Sequence, residues 1–213
     1  LITTYLLKRD LKIYRCDLKW FIVFTIVDAT FFQLFLTYGI SKTGAGLGSV
    51  LIDSQPLIVA LLARAIFGNL INPIGWLGLL FGLGGIIFLG FPQEFLEKWW
   101  LMSDTNLGDI NFNVGEAWML AAALSMALGT ILIRLTCTKS DPVSVTGWHM
   151  VIGSIPLIIK YSLETSFQSF PNWNLTDWGL MSFASIFGSA IAYGLFFYFA
   201  NNKEITGFST LAF

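Results

Sequence analysis

Two carboxylates, Asp28 and Asp53, lie deep inside long apolar stretches of the chain. At 1.5 Å per residue each is about 12 Å from the end of its stretch, near the middle of a hydrocarbon layer about 30 Å thick. A carboxylate there costs about 2.5–3.5 kcal/mol on insertion scales, so such groups usually face a wet cavity and serve a function. We expect Asp28 to line a water-accessible pathway and to carry a proton. For Asp53, a cap on the helix break at Pro56 is an equally good interpretation.

The tetrapeptide Asp53-Ser54-Gln55-Pro56 places polar side chains where a helix must be interrupted. Proline has no backbone N–H and displaces the carbonyl four residues before it, here that of Ile52, so backbone dipoles become available. Interrupted helices are good sequence indicators of the binding site in transport proteins. Ser54 and Gln55 are therefore candidate solute ligands, and the alternative is a kink needed only for packing.

A polar stripe with the spacing i, i+3, i+7 and i+11 follows a later apolar stretch, at Ser182, Ser185, Ser189 and Tyr193. This spacing places its members on one side of an α-helix. They could line a pathway with neutral hydrogen-bonding groups, together with Gln33, the counterpart of Tyr193 in an earlier apolar stretch. Hydrogen bonds between packed helices, worth about 0.6 kcal/mol each, explain the serines equally well.

Trp148 and His149 lie about 10 Å inside another apolar stretch. A single histidine on an apolar face is more often a satisfied core residue than a ligand, and both residues stay candidates for the pathway. The chain has 1 histidine and 2 cysteines, with no CxxC, HExxH or GxSxG pattern. The sequence therefore predicts no metal site, no cofactor and no catalytic residues, which makes an enzyme the least favoured class.

The composition indicates the environment in which these residues act. The chain is 55% hydrophobic and 12% charged, with a mean hydropathy of +0.72, whereas soluble domains carry about 25% charged residues. The apolar runs reach the roughly 20 residues that a helical crossing needs, so the sequence predicts an all-α, polytopic helical membrane protein. Two helix starts carry a cap followed by proline, at Asn72-Pro73 and Asp141-Pro142. Six whole spans are predicted: Trp20–Ile40, Ala45–Phe67, Pro73–Phe91, Glu116–Leu135, Pro142–Tyr161 and Asp177–Ala200.

Basic residues are divided unevenly between the loops on the two faces of the predicted bundle. One face receives Lys8, Arg9, Lys12, Arg15, Lys19, Arg64, Arg134, Lys139 and Lys203, and the other receives Lys42, Lys98 and Lys160. The positive-inside rule makes the first face cytoplasmic, or stromal in a plastid, where Cys16 and Cys137 would stay reduced. A net charge of −1 and the lack of basic clusters mixed with aromatic residues argue against nucleic acid as a partner.

The chain also contains an internal repeat. Asp17–Asp53 aligns with Asp177–Phe213 without a gap, with few identities but the same hydropathy profile throughout. Five spans separate equivalent helices, so the two copies run in opposite directions, a common plan of secondary transporters whose substrate binds where the repeats meet. Because the chain begins and ends inside apolar runs, we expect a piece of a longer protein, with six whole and two partial helices here.

Three stretches resemble the EamA-type transporters of the drug/metabolite transporter superfamily. They are the small-residue run and proline kink of residues 44–57, the Gly-Asn-Leu-Ile-Asn-Pro start of residues 68–78, and the Gly-Glu, Ser-Asp-Pro and Gly-Trp-His-Met sequences within residues 115–150. Asp-Ser-Gln-Pro and Gly-Trp-His-Met are most similar to the cyanobacterial and plant-plastid branch. The resemblance implies two five-helix EamA repeats, residues 1–91 and 115–213, joined by an external loop with an interfacial segment, residues 92–114.

The resemblance further implies efflux or exchange of small metabolites by alternating access. The membrane would be a bacterial, cyanobacterial-like inner membrane or, alternatively, a plastid envelope. The predicted partners are a small-molecule solute, protons and membrane lipid, and the spacing of Gly78 and Gly82, which resembles that of helix dimers, leaves a homodimer open. The alternative function is a non-transporting integral-membrane scaffold subunit, because helix packing alone could explain the serines and glycines.

Overall fold

The computed structural model describes residues 1, 4–5, 8–68, 71–90, 114–164 and 173–202. Residues 92–113 of the predicted external loop and the final residues 203–213 lie outside this part of the chain. Within it most residues are helical and none is in a β-strand. The helices, two of them of π type, are α1 Leu18–Phe24, π1 Thr25–Phe31, α2 Phe32–Thr43, α3 Ala45–Ile52, α4 Gln55–Phe67, α5 Pro73–Gly90, α6 Val114–Thr136, α7 Pro142–Glu164, α8 Leu175–Phe183, π2 Ala184–Ile191 and α9 Ala192–Asn202.

Five helical segments are long and apolar enough to cross a membrane: Leu18–Thr43, Gly46–Phe67, Val114–Thr136, Pro142–Leu163 and Leu175–Asn201. The remaining predicted span, Pro73–Phe91, is helical as α5. Its apolar part, Pro73–Ile86, is shorter than the five membrane-length segments. The prediction of an all-α, polytopic helical membrane protein is therefore confirmed.

Both cap-then-proline helix starts are present. Oδ1 of Asn72 accepts a hydrogen bond of 2.6 Å from the backbone N–H of Gly75 at the start of α5. Oδ1 of Asp141 accepts from the backbone N–H groups of Val143 at 2.9 Å and Ser144 at 3.2 Å at the start of α7. Each cap satisfies N–H groups that have no partner inside the helix, which fixes where the helix begins.

The chain divides into two compact units, Leu1–Phe31 with Leu128–Phe213, and Phe32–Ala127. In the first unit, α7 packs against π1 and α9. Its buried apolar core comprises Phe21, Phe24, Leu132, Ile133, Val145, Phe197 and Ala200. The first unit thus surrounds the helix segment that carries Asp28 with side chains from α6, α7 and α9.

In the first unit, Asp17 holds the loop between α6 and α7. Its fully buried carboxylate accepts hydrogen bonds from the hydroxyl of Thr138, the backbone N–H of Lys139 at 3.0 Å, and the N–H and hydroxyl of Ser140, both at 2.8 Å. Burial opposes ionisation, but these hydrogen bonds favour the charged form more strongly and hold the pKa of Asp17 at about 2. The start of α1 and the start of α7 are thereby fixed together.

The segment before Asp17 is bound to the same region. Arg9 forms an ion pair of 3.0 Å with Asp141, which also caps α7. The indole N–H of Trp148 donates to the backbone carbonyl of Leu11 at 3.0 Å. These contacts position α7 along α1 and π1, with His149 one residue beyond the Trp148 contact.

The second unit is packed through glycines. A Cβ atom at Gly39 of α2 would lie 2.7 Å from Cγ of Met119 in α6, and one at Gly82 of α5 would lie 3.2 Å from Cδ2 of Leu57 in α4. Glycine therefore sets the close approach of these helix pairs, as is common between transmembrane helices.

Candidate functional site

Asp28 and His149 are in contact inside the first unit. Nε2 of His149 lies 3.0 Å from Oδ2 of Asp28, and the two side chains are 1% and 0% exposed, respectively. Asp28 lies in the middle of π1 and His149 lies two turns into α7. Two residues that the sequence placed inside different apolar stretches are thus buried together as a pair, whereas the sequence predicted that Asp28 lines a water-accessible pathway.

The second ring nitrogen of His149 has a fixed role. Nδ1 lies 2.6 Å from the backbone carbonyl oxygen of Thr146, one turn earlier in α7. A carbonyl only accepts hydrogen bonds, so Nδ1 carries a proton and donates it. The contact between Nε2 and Oδ2 of Asp28 then requires one more proton, located on either atom. The geometry is therefore satisfied when the pair holds a single shared proton, a state without net charge.

Aromatic rings enclose the imidazole. Phe24 stacks on His149 with ring centroids 4.4 Å apart and an interplanar angle of 26°. Phe197 of α9 meets the same ring edge-on, at 5.7 Å and 88°, and Tyr193 lies 5.8 Å from Phe197. The rings exclude water from the pair, which strengthens its electrostatic interaction.

The other oxygen of Asp28 has no hydrogen-bond partner among the described residues, although it is fully buried. It faces Gly129 of α6, where a Cβ atom would lie 2.5 Å from Cγ of Asp28. On the opposite side, a Cβ atom at Gly153 of α7 would lie 3.3 Å from the backbone carbonyl oxygen of Thr25. Two glycines therefore make room for π1. An acceptor left unpaired in a dry interior is costly and is a recognised mark of functional sites.

The π segments occur at corresponding positions of the internal repeat. The ungapped alignment of the two copies pairs Thr25–Phe31 with residues 185–191, and π2 spans Ala184–Ile191. π-Helical turns are rare and often occur at functional sites. In π2 the geometry also departs from the α-helical spacing on which the predicted stripe through Ser185 and Ser189 was based.

In the second unit the predicted helix break is present. α3 ends at Ile52, and α4 begins at Gln55 with Pro56 in its first turn. Ser54 and Gln55 are buried, and the hydroxyl of Ser54 has no hydrogen-bond partner among the described residues. Asp53 is exposed beside them at the end of α3. The break therefore places one unpaired hydroxyl inside the unit and one carboxylate on its surface.

Comparison with known families agrees with these features. The profile of the EamA-like transporter family matches residues 2–91 and 113–213. The chain belongs to the EamA-like transporter family. The match confirms the predicted resemblance to EamA-type transporters, and the observed polytopic helical architecture agrees with it.

Relatives of this EamA-like chain include an uncharacterized transporter of Synechocystis, 48% identical over 91% of this chain and 59% of the relative. A chloroplastic WAT1-related protein of Arabidopsis thaliana is 44% identical over 91% of this chain and 46% of its own length. An uncharacterized transporter of Bacillus subtilis is 25% identical over 84% of this chain and 59% of its own length. The EamA-like chain thus spans about half of the length of these relatives. No solved structure matches the chain.

The remaining predicted pathway residues of the EamA-like chain lie in different surroundings. Gln33 is exposed in α2 of the second unit. In the first unit, Ser185 and Ser189 are exposed on π2, and Tyr193 is half-buried in α9. Trp148 is half-buried and donates to Leu11. Of this group, Tyr193 contacts Phe197, whose ring in turn meets that of His149.

Sequence reasoning missed several residues of this EamA-like site: Phe24, Gly129, Thr146, Gly153 and Phe197. Thr146 contributes through its backbone carbonyl, which no side-chain pattern reveals. The glycines belong to apolar helices in which most small residues serve packing. What distinguishes these two glycines from the others is the helix that each one contacts, and only the fold shows those contacts. Among the described residues, no group of three or more His, Cys, Asp and Glu could hold a metal ion.

Proposed function

We propose that this EamA-like chain acts in a secondary transporter that moves small metabolites by alternating access, in efflux or exchange, with protons coupled through Asp28. One observation carries the proposal: Asp28 is buried, its Oδ2 lies 3.0 Å from Nε2 of His149, and its Oδ1 has no partner among the described residues. A buried carboxylate with an unfilled acceptor is costly, and inside membranes such groups mark ion and proton pathways.

The matching π segments support an inverted repeat of EamA units, residues 1–91 and 115–213. Thr25–Phe31 and Ala184–Ile191 occupy corresponding positions of the two copies, although their side chains differ and Gly188 takes the place of Asp28. A rare backbone geometry kept at equivalent positions is typical of two copies of one structural unit. Substrates of inverted-repeat transporters bind where the copies meet.

The broken helix supports a role of Ser54 and Gln55 in solute binding. Interrupted helices expose backbone dipoles, and the hydroxyl of Ser54 is buried without a partner in the described part of the chain. A metabolite with N–H or O–H groups would satisfy this hydroxyl. Asp53 and the stripe residues Gln33, Ser185, Ser189 and Tyr193 form the wider set of pathway candidates.

We assign the loops that carry Cys16 and Cys137 to the cytoplasm, or to the stroma in a plastid. Both cysteines are free thiols, and their loops belong to the face on which basic residues are concentrated. The membrane is a cyanobacterial-type inner membrane or a plastid envelope, an assignment supported by relatives from Synechocystis and from the chloroplast of Arabidopsis.

The test is transport by the full chain in proteoliposomes. Vesicles loaded with a panel of amino acids, nucleosides, organic acids and sugar phosphates are placed in an opposing pH gradient, and solute loss is measured by mass spectrometry. We expect the gradient to accelerate loss of at least one solute about tenfold, as for typical coupling free energies. Asp28→Asn should retain solute exchange but lose the acceleration, and Ser162→Ala, at the far end of α7, is the matched control.

Other outcomes decide between the alternatives. Wild-type vesicles that move no solute of the panel would favour the scaffold subunit. Transport that ignores the gradient, with Asp28→Asn fully active, would remove proton coupling while leaving transport in place.

The mass of the protein in lipid nanodiscs shows whether a homodimer forms, and Gly78→Ala should weaken such a dimer if the spacing of Gly78 and Gly82 contributes to it.

A further inference from the structure

The proton shared by Asp28 and His149 is confined by the geometry of the pair. Nδ1 of His149 is committed to the carbonyl of Thr146 at 2.6 Å, so only Nε2 is available to Asp28 at 3.0 Å. Removing the shared proton leaves a buried negative charge, and adding a second one leaves a buried positive charge. Either charge is costly in a site lined by Phe24 and Phe197.

Within the part of the chain that the structure describes, the groups named below offer the pair no charge that would compensate. π1 contributes only Asp28 itself, and α6 faces it with Gly129, while the titratable side chains of α6, Glu116 and Arg134, lie toward its two ends. α9 contributes Tyr193, which reaches the pair through Phe197. On α7, two other described side chains are titratable, and both lie more than two turns from His149: Lys160 and Tyr161.

We propose that His149 is the proton-sharing partner of Asp28 and that π1 closes against α7 only while the pair holds one proton. His149 is then a positioning residue: it fixes the carboxylate, and the carbonyl of Thr146 fixes its tautomer. Loss of the shared proton to water breaks the Nε2–Oδ2 hydrogen bond and leaves a carboxylate that must gain water or a donor group of the solute. This mechanism rests on the proposed proton-coupled transport and explains how protonation would select the closed state.

The single histidine of the chain makes the pair directly observable. With ¹⁵N-labelled histidine in the full chain in lipid bilayers, NMR reports the two ring nitrogens of His149 alone. At neutral pH we expect Nδ1 to be protonated and Nε2 to give a shift between those of protonated and bare nitrogen. In Asp28→Asn, Nε2 should move to the shift of a bare nitrogen, because an amide N–H can only donate to it.

A bare Nδ1 beside a protonated Nε2 at neutral pH would overturn the proposal, as would an Nε2 shift that Asp28→Asn leaves unchanged. Both outcomes are measured by NMR and require no transport assay. If wild-type vesicles move no solute, the proposed function fails while the NMR result still decides the pair. If the wild type responds about tenfold to the pH gradient and His149→Gln responds equally, the inference fails while the proposed function stands.

Closure has its own reporter in Cys137, which is half-buried against the core that contains Phe21 and Phe24. In a Cys16→Ser background it is the one remaining thiol, since the chain has 2 cysteines. At one fixed pH, Asp28→Asn should slow its reaction with a maleimide and His149→Gln should accelerate it, relative to the background alone. Equal rates in both variants would contradict protonation-dependent closure. Asp28→Asn and the wild-type spectrum keep the test valid should His149→Gln fail to fold.

Discussion

Gly129 lies directly against Asp28: a Cβ atom at position 129 would come within 2.5 Å of Cγ and 2.7 Å of Cβ of the aspartate. Glycine is therefore required at this point of α6 for π1 to keep its place, and a larger residue must displace the carboxylate from His149.

Gly129→Ala should accordingly destabilise the chain by about 1–3 kcal/mol, the usual cost of adding a methyl group to a packed interior. It should also abolish the response of transport to a pH gradient, because the Nε2–Oδ2 contact cannot form. Thermal unfolding in detergent and gradient-driven flux measure the two effects. Gly179→Ala is the matched control, since nothing lies within 4 Å of a Cβ atom at that helical position, and it should unfold no earlier than the wild type.

Ser54→Ala separates solute binding from packing. The hydroxyl of Ser54 is buried with no hydrogen-bond partner among the described residues, so its removal costs no internal hydrogen bond and should leave the unfolding temperature unchanged or slightly raised. If Ser54 binds the solute, the apparent KM should rise about two- to tenfold, since a lost hydrogen bond to a neutral group is worth about 0.5–1.5 kcal/mol. An unchanged KM would assign the break to packing alone.

Asp17 should make stability depend on acid pH. Burial opposes its ionisation, but the hydrogen bonds from residues 138–140 outweigh burial and hold its pKa in the folded chain at about 2, below the ordinary value of 3.8. The carboxylate therefore contributes about 2 kcal/mol to the free energy of unfolding. This contribution is complete above pH 4 and is lost as the pH falls through 2.

Asp17→Asn should lower the free energy of unfolding and flatten its dependence on pH in this window. Denaturant titrations at pH 2, 3, 4 and 6, followed by tryptophan fluorescence, provide the measurement. Lys139→Ala serves as a control, because Lys139 binds Asp17 through its backbone N–H. A pH profile of Asp17→Asn that parallels the wild type would show that another group titrates instead.

The two cysteines should differ in reactivity and report the sidedness of the loops. Cys16 is exposed, whereas Cys137 is half-buried, and burial together with the nearby carboxylates of Asp17 and Asp141 raises the pKa of its thiol. An impermeant maleimide at pH 7 should label Cys16 rapidly in inside-out vesicles and Cys137 much more slowly. Rapid labelling of Cys16 in right-side-out vesicles would instead place this face outside the cytoplasm or stroma.

Local features of the fold were predictable because they depend on neighbouring residues. The caps at Asn72 and Asp141 and the break before Pro56 follow from side chains within a few positions of the helix ends. The spans follow from apolar runs of membrane length, as in Pro142–Tyr161 against the observed Pro142–Leu163. The proposed repeat also came from local hydropathy, and its domain boundaries stay a prediction.

The site itself was predictable only in part. Asp28 and His149 were both pathway candidates, but a satisfied core residue was the more common interpretation of a single histidine, and nothing linked it to a carboxylate 121 residues away. Trp148, its neighbour, was a candidate for the same pathway and instead binds the carbonyl of Leu11. A one-residue step along a helix turns a side chain by about 100°, so adjacent residues can serve different contacts.

The sequence alone determined that the chain is helical, lies in a membrane, breaks at Pro56 and carries a carboxylate inside a span, since burying charge in an apolar run has the same cost in any fold. The tertiary structure decided which atom meets that carboxylate, that Thr146 fixes the histidine tautomer, and that Gly129 and Gly153 give π1 its room. Those contacts depend on how helices far apart in the chain are placed, to within a fraction of an ångström, and no local pattern encodes such distances.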